Sequence, residues 1–144
     1  MIVRGTYELM LHHIKIANIS LLTDLSAVND TIWCSPNQIK QACIAILVNA
    51  SEAVSEKGEI IIRTGNPDEN HVRLEISDNG SGIASDDIPH IFEPFFTTKR
   101  DARGTGLGLA IVHGIVTNHK GKIEVDSAIG KGTTISLIFP LSKV

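Results

Sequence analysis

Aromatic residues are scarce in this chain: four Phe, one Tyr and one Trp among 144 residues. Its interior must therefore be filled by Ile, Leu, Val and Ala, the larger of which contribute roughly 1.5–3 kcal/mol each when buried. Basic residues are not in excess either. Thirteen Lys and Arg against sixteen Asp and Glu give a net charge of −3, without the positive field that nucleic-acid binders carry. No nucleic acid is expected as a partner, and any polyanion must be held by local donors or a metal. The two cysteines, Cys34 and Cys43, form no C-x-x-C pair and read as reduced, inert core thiols of a cytoplasmic domain. No apolar run approaches the ~18 residues of a membrane span. Arg4, Glu8, His12 and His13 interrupt the apolar residues near the start, which does not have the layout of a signal peptide. A parent protein could still carry a membrane anchor elsewhere.

What is present is ordinary globular composition, 42% hydrophobic and 20% charged, at a length that suits one domain over 1–144. Helical spacing is expected over 4–17. Strands are expected over 19–24 and 31–34, on either side of a polar turn. The strongest helix signal follows: Ser35 as N-cap, Pro36 at the first helical position, then Ile39, Ala42, Cys43, Ile46, Leu47, Ala50 and Ala53 at helical spacing, with Gly58 as a stop. Strands over 59–64 and 71–77 form a hairpin about Asn66-Pro67-Asp68, with Val72, Leu74 and Ile76 alternating as in a half-buried strand. After a loop-rich stretch with one short helix over 86–92, a helix over 107–118 ends at Gly121. A last pair of strands spans 122–126 and 133–139. Strand pairs with helices between them predict an α+β fold, not a parallel βαβ sheet.

Three glycine-bearing segments stand out: Asp78-Asn79-Gly80-Ser81-Gly82-Ile83, Gly104-Thr105-Gly106-Leu107-Gly108-Leu109 and Gly130-Lys131-Gly132-Thr133-Thr134. Glycine clusters where backbone approaches a ligand closely or turns with positive φ. The second segment runs into a helix, whose first free N–H groups form an anion site. Two familiar nucleotide motifs are excluded. No glycine is followed by Lys and then Ser or Thr, as a P-loop requires, and Leu109 stands where a dinucleotide fingerprint needs its third glycine.

The order of these segments carries a resemblance. ILVNASEA (46–53) resembles the N box of the histidine-kinase catalytic domain, and DNGSGI (78–83) its first glycine box. IFEPFFTTK (91–99) resembles the phenylalanine box, GTGLGLAIV (104–112) the second glycine box, and GKGTTISLIFP (130–140) the closing segment of the same fold. All five occur in family order. The phenylalanine box separates the chain from the gyrase, chaperone and mismatch-repair ATPases that share the fold.

The resemblance implies a two-layer α/β sandwich: a mixed, mostly antiparallel sheet, helices on one face, and a mobile ATP lid. It implies ATP and Mg²⁺ as cofactors. Asp78 would accept a hydrogen bond from the adenine amino group, beside Gly80, Gly82 and Ile83. Asn49 would ligate Mg²⁺ through its carboxamide oxygen. Phe92, with Phe95 and Phe96, would pack the base of the lid. Thr97, Thr98, Lys99, Gly104, Thr105, Gly106, Leu107, Gly108 and Thr133 complete the implied ATP contacts, with Arg100 and Arg103 as further candidates for phosphate charge. Glu52 is read equally as a water-mediated helper or a solvent-facing helix residue. None of the six histidines stands in the family's His-Glu acceptor pattern. The acceptor is therefore expected on a separate dimerisation domain of the same kinase, with a response regulator as an indirect partner and a monomeric isolated domain.

Two positions depart from the family pattern. Ala45 stands where a second Asn is common, and where ATPases of this fold place an activating glutamate. Lys120 stands where glycine is frequent. The implied activity is transfer of the ATP γ-phosphoryl group to a histidine. The alternatives are an ATPase or serine kinase of the same fold, against which Ala45 speaks, and a degenerate binding module, against which Asn49, Asp78 and the glycine boxes speak.

Overall fold

The computed structural model describes residues 20–25, 27, 32, 34–54, 58–93 and 108–141. The elements are β1 (Ser20–Leu25), α1 (Pro36–Ala53), β2 (Glu59–Asp68), β3 (His71–Asp78), a 3₁₀ turn (Ile88–His90), α2 (Gly108–Asn118), β4 (Lys122–Ala128) and β5 (Gly132–Pro140). They build a five-stranded sheet in the order β1-β2-β3-β5-β4. β2, β3, β5 and β4 pair antiparallel. β1 runs parallel to β2, because the 18-residue α1 lies between them and supplies the crossover that a parallel pair needs. The sheet is therefore mixed and mostly antiparallel, as the resemblance implies, with its parallel pair at this edge.

One face of the sheet carries the core. Ile60 and Ile62, then Val72, Leu74 and Ile76, then Ile135, Leu137 and Phe139 alternate toward the helices. They meet Ile39, Ala42, Cys43, Ile46, Leu47 and Ala50 of α1, with Val112, Ile115 and Val116 of α2. Burial pushes the Cys43 thiol up to about 12, so it is an inert filler, as its place in the apolar pattern suggests. The opposite face mixes polar residues with Leu22, Ile61 and Ile138, and Arg73 and Glu75 stand on it in a long ion pair of 3.7 Å.

Local chemistry explains the boundaries. The Ser35 hydroxyl accepts from the Gln38 N–H and Pro36 fills the first turn, as expected. α1 ends at Ala53, short of Gly58, with Val54 as its C-cap. Ile32 and Cys34, expected in a strand, carry none; both pack against the core and lead into the α1 cap. The β2–β3 turn moves to Glu69-Asn70, because the Asp68 carboxylate accepts from the Asn70 N–H at 2.7 Å and holds His71 at 2.8 Å. Pro67 falls in a register break between Gly65 and Asp68, where its missing N–H costs no ladder bond.

At the end of α2 the Gly121 N–H reaches the Val116 carbonyl and the Lys120 N–H that of Thr117, a Schellman closure. The left-handed residue is Lys120 itself, at φ 58°. Gly121 serves a different need, since a Cβ there would sit 2.9 Å from the Ile138 carbonyl and the Phe139 ring. The left-handed conformation costs a non-glycine residue about 1–2 kcal/mol, partly offset by the greater freedom glycine loses on folding. Lys120→Gly is expected to raise stability by about 0.5–1 kcal/mol. A urea midpoint that stays put or falls would show that Lys120 is held there by another contact.

His119 joins the two helices. Its Nδ1–H donates to the Ile115 carbonyl at 2.7 Å, and its Nε2 accepts from the Ser35 N–H at 3.0 Å. The ring meets Phe139 edge-on. His119 is thus a structural residue, tying the end of α2 to the start of α1.

Candidate functional site

The alternation that buries Val72, Leu74 and Ile76 places Asp78 on the same, helix-covered face, at the end of β3. Asp78 is half-buried and registers with Ile60 on one side and Thr133 on the other. Burial raises the pKa of its carboxyl, while hydrogen bonds from the backbone of Gly80 and Thr133 pull it down. The carboxylate is thus held by backbone amides, without a cationic partner among the described residues, at the mouth of the core.

The glycine segment after it is fixed in detail. The Gly80 N–H donates to Asp78 Oδ1 at 2.9 Å. Asn79 clamps the loop to β2: its Oδ1 accepts from the Glu59 N–H at 2.8 Å, and its own N–H donates to the Glu59 carbonyl. Gly82, at φ 77°, lies so close to the β4–β5 turn that a Cβ would fall 2.0 Å from the Ala128 carbonyl oxygen. The Ile83 N–H donates to Ser127 Oγ at 2.8 Å. Gly132, at φ 92°, has no room for a Cβ either, which would lie 2.0 Å from the carbonyl oxygen of Asp78.

The third glycine segment therefore acts as a backing for the first. Thr133 is buried, with its hydroxyl 2.8 Å from Ser127 Oγ. The structure brings Thr133 beside Asp78 as a strand neighbour. Ser127 and the supporting part of Asn79 are missed by motif reading. The signal for Ser127 was a polar residue in the inward register of Ile123 and Val125, where an apolar one is expected.

Asn49 sits on a flank of α1, about 80° around from the core stripe centred on Ile39, Ile46 and Ala50. Ala45, one turn before it, shares that flank, and the Ala45 Cβ is 3.9 Å from where a Gly108 Cβ would be. The flank bearing Asn49 thus faces the start of α2. Asn49 is half-buried on this flank. A carboxamide oxygen suits a hard cation that takes its remaining ligands from phosphates and water. No group of three or more His, Cys, Asp or Glu converges among the described residues, so no carboxylate cage competes with it there.

The start of the phenylalanine box is anchored. Ile91 is buried, and the Phe92 ring lies 5.8 Å from that of His113 on α2. The short helix expected over 86–92 is a single 3₁₀ turn, with Pro89 inside it. Thr97, Thr98, Lys99, Gly104, Thr105, Gly106 and Leu107 lie outside the described residues, as do Phe95, Phe96, Arg100, Arg103 and the helix expected over 4–17.

Residues 34–143 match the family of histidine kinase-, DNA gyrase B- and HSP90-like ATPases. The chain belongs to this ATP-binding family. It is similar to Sporulation kinase E of Bacillus subtilis, with 38% identity over 140 residues covering 97% of this chain and 19% of that protein. Among solved structures it resembles the nucleotide-free catalytic domain of histidine kinase ThkA at TM-score 0.84 and 31% identity, covering 96% of this chain and 91% of that one. ThkA in complex with the response regulator TrrA superposes at TM-score 0.82 and 28% identity, covering 98% and 40%. Full-length ShkA in complex with AMPPNP gives TM-score 0.87 and 27% identity, covering 99% and 30%. The fold is thus the α/β sandwich of histidine-kinase catalytic domains. The chain spans about a fifth of the length of Sporulation kinase E.

Proposed function

We propose that this histidine kinase-like domain binds Mg-ATP and serves as the catalytic part of a two-component sensor kinase in the cytoplasm. It would transfer the γ-phosphoryl group to a histidine on a separate dimerisation domain, from which a response regulator is phosphorylated. The observation that carries the reading is the half-buried Asp78, held by backbone amides at the end of β3 between two glycine-packed turns.

Asp78 accepts from the adenine exocyclic amino group, and Gly80 and Gly82 keep side chains out of the path of the flat base. Ile83 flanks the base. Thr133 acts through Asp78, because its backbone supports the carboxylate and its hydroxyl is engaged with Ser127. The first N–H groups of α2, which opens at Gly108, are available to phosphate oxygens. Lys99, with Thr97 and Thr98, lies in the stretch that would cover the phosphates, and Phe92 anchors its base on α2. Asn49 would hold Mg²⁺, which would supply neutralising charge to the phosphate oxygens.

In the transfer itself, an imidazole nitrogen bonds to the γ-phosphorus as its bond to the β–γ bridging oxygen breaks, and ADP leaves. The domain contributes position and charge stabilisation. Its own described histidines are engaged elsewhere: His71 with Asp68, His90 with Glu93, His113 against Phe92, and His119 in the helix tie. No helix among the described residues is long and apolar enough to cross a membrane.

Asn49→Ala separates the metal from the base. The mutant is expected to keep its adenosine-side affinity and to lose the gain in ATP affinity that Mg²⁺ confers. Calorimetric titrations with ATP, in Mg²⁺ and in chelator, check this. Equal Mg²⁺ dependence in mutant and parent would return Asn49 to the role of a helix-flank residue.

A further inference from the structure

Ser127 lies on β4, the far strand of the sheet, and belongs to none of the nucleotide boxes. Its hydroxyl nevertheless makes every hydrogen bond a hydroxyl can make, one donated and two accepted. It donates to the Gly132 carbonyl at 3.0 Å, which leaves its lone pairs to accept from the Ile83 N–H at 2.8 Å and the Thr133 hydroxyl at 2.8 Å. Those three partners come from the two segments that frame Asp78. Ile83 ends the glycine loop that Asp78 begins. Gly132 and Thr133 stand beside Asp78 in the neighbouring strand, Gly132 at contact distance from its carbonyl oxygen.

The loop has only two further ties of its own to the β4–β5 turn among the described residues, the close approach of Gly82 to Ala128 and the Gly130 N–H donated to the Ser81 carbonyl. Both act at the middle of the loop. Ser127 joins the exit of the loop and the Asp78-facing strand in one atom. A polar side chain in an inward, otherwise aliphatic register has a cost that core packing alone does not explain.

From this geometry we propose that Ser127 is a positioning residue for adenine recognition: it sets the distance between the Asp78 carboxylate and the loop against which the base lies. This rests on the adenine role given to Asp78 above. The hydroxyl touches no nucleotide; it acts through Ile83, Gly132 and Thr133. Removing it leaves an amide N–H, a carbonyl and a hydroxyl to find other partners, and the loop exit shifts by the distance they relax. The base then no longer meets Asp78 squarely. The hydrogen bond that weakens first is the one that distinguishes an amino group from an oxo group on the purine.

The test is the affinity of the whole chain for ATP and for inosine triphosphate, which carries an oxo group in place of the amino group. It is measured by calorimetry for the parent, Ser127→Ala, Ser127→Thr and Asp78→Asn. Ser127→Ala is expected to lose about tenfold in ATP affinity and most of its preference for ATP over inosine triphosphate. Ser127→Thr restores both, because it returns the hydroxyl. If Ser127→Ala does not fold, Ser127→Cys replaces it, being nearly isosteric but a weak hydrogen-bonding group, and the same ratio is read. An unchanged ATP preference in the variant, whether or not both affinities fall together, overturns the inference and makes Ser127 a strand-packing residue. An Asp78→Asn protein that keeps the ATP preference overturns instead the adenine reading on which the inference stands.

Discussion

Asp78→Asn is expected to abolish ATP binding while leaving the empty domain at least as stable as the parent. The carboxylate faces donors on every side: the backbone of Gly80 and Thr133 within the protein and the adenine amino group in the complex. A carboxylate is acceptor-only, whereas a carboxamide brings two donors of its own. The carboxamide of the mutant can satisfy the protein's donors with its oxygen, but it then turns its NH₂ toward the amino group of the base. A charge-assisted hydrogen bond contributes about 1.5–3 kcal/mol, and a donor–donor clash replaces it, so affinity should fall by at least ~100-fold.

The stability half of the prediction follows from the titration. Burial raises the carboxyl's pKa in the fold, so the stability tied to its protonated form is fully present below the ordinary carboxylate range. That stability is lost as pH rises through the raised value. At neutral pH the ionised Asp78 therefore destabilises the empty domain, an effect that nucleotide binding offsets and a neutral Asn removes. Thermal melts of parent and mutant without ligand at neutral pH should show the mutant equal or higher. A mutant that melts markedly lower would place Asp78 in the framework of the fold and not in its ligand chemistry.

The purified domain should hold ATP almost unhydrolysed. Hydrolysis needs a water activated in line with the γ-phosphate, and ATPases of this fold are expected to place a glutamate for it at the position of Ala45. The methyl group there accepts no proton, and it abuts Gly108 at the start of α2. One turn further along α1 stands the neutral amide of Asn49. Phosphate release should stay far below the roughly 1–100 s⁻¹ of kinases working on their acceptors. An added helical domain carrying the acceptor histidine should restore transfer, seen as an acid-labile, base-stable phosphoprotein. Turnover near ~1 s⁻¹ without acceptor would identify a self-contained ATPase.

The parts of this site that were legible in the sequence are those set by local chemistry. Ser35 and Pro36 announce the start of α1, and the alternation of Val72, Leu74 and Ile76 orients Asp78 toward the helices. The parts that were not legible are set by contacts between distant segments. Gly130 and Gly132 look like ligand-binding glycines, yet Gly132 is needed because the Asp78 carbonyl lies where its side chain would be. Nothing local to Ser127 says that Ile83, 44 residues away, donates to it. His119 reads as one more helix histidine until Ser35, 84 residues away, is brought to its Nε2. The β2–β3 turn escaped for a subtler reason. Asn66-Pro67-Asp68 has the composition of a turn, but the Asp68 side chain captures Asn70 and shifts the reversal onward.

The most direct test of the account is a map of backbone and side-chain amide resonances during titration of the whole chain with Mg-ATP. The largest changes should fall on Gly80, Gly82 and Ile83, on Gly108, and on the Asn49 carboxamide, the last only when Mg²⁺ is present. All should vanish in Asp78→Asn. Changes confined to the open face around Arg63 and Arg73, or a chain that gives no response to nucleotide, would contradict it.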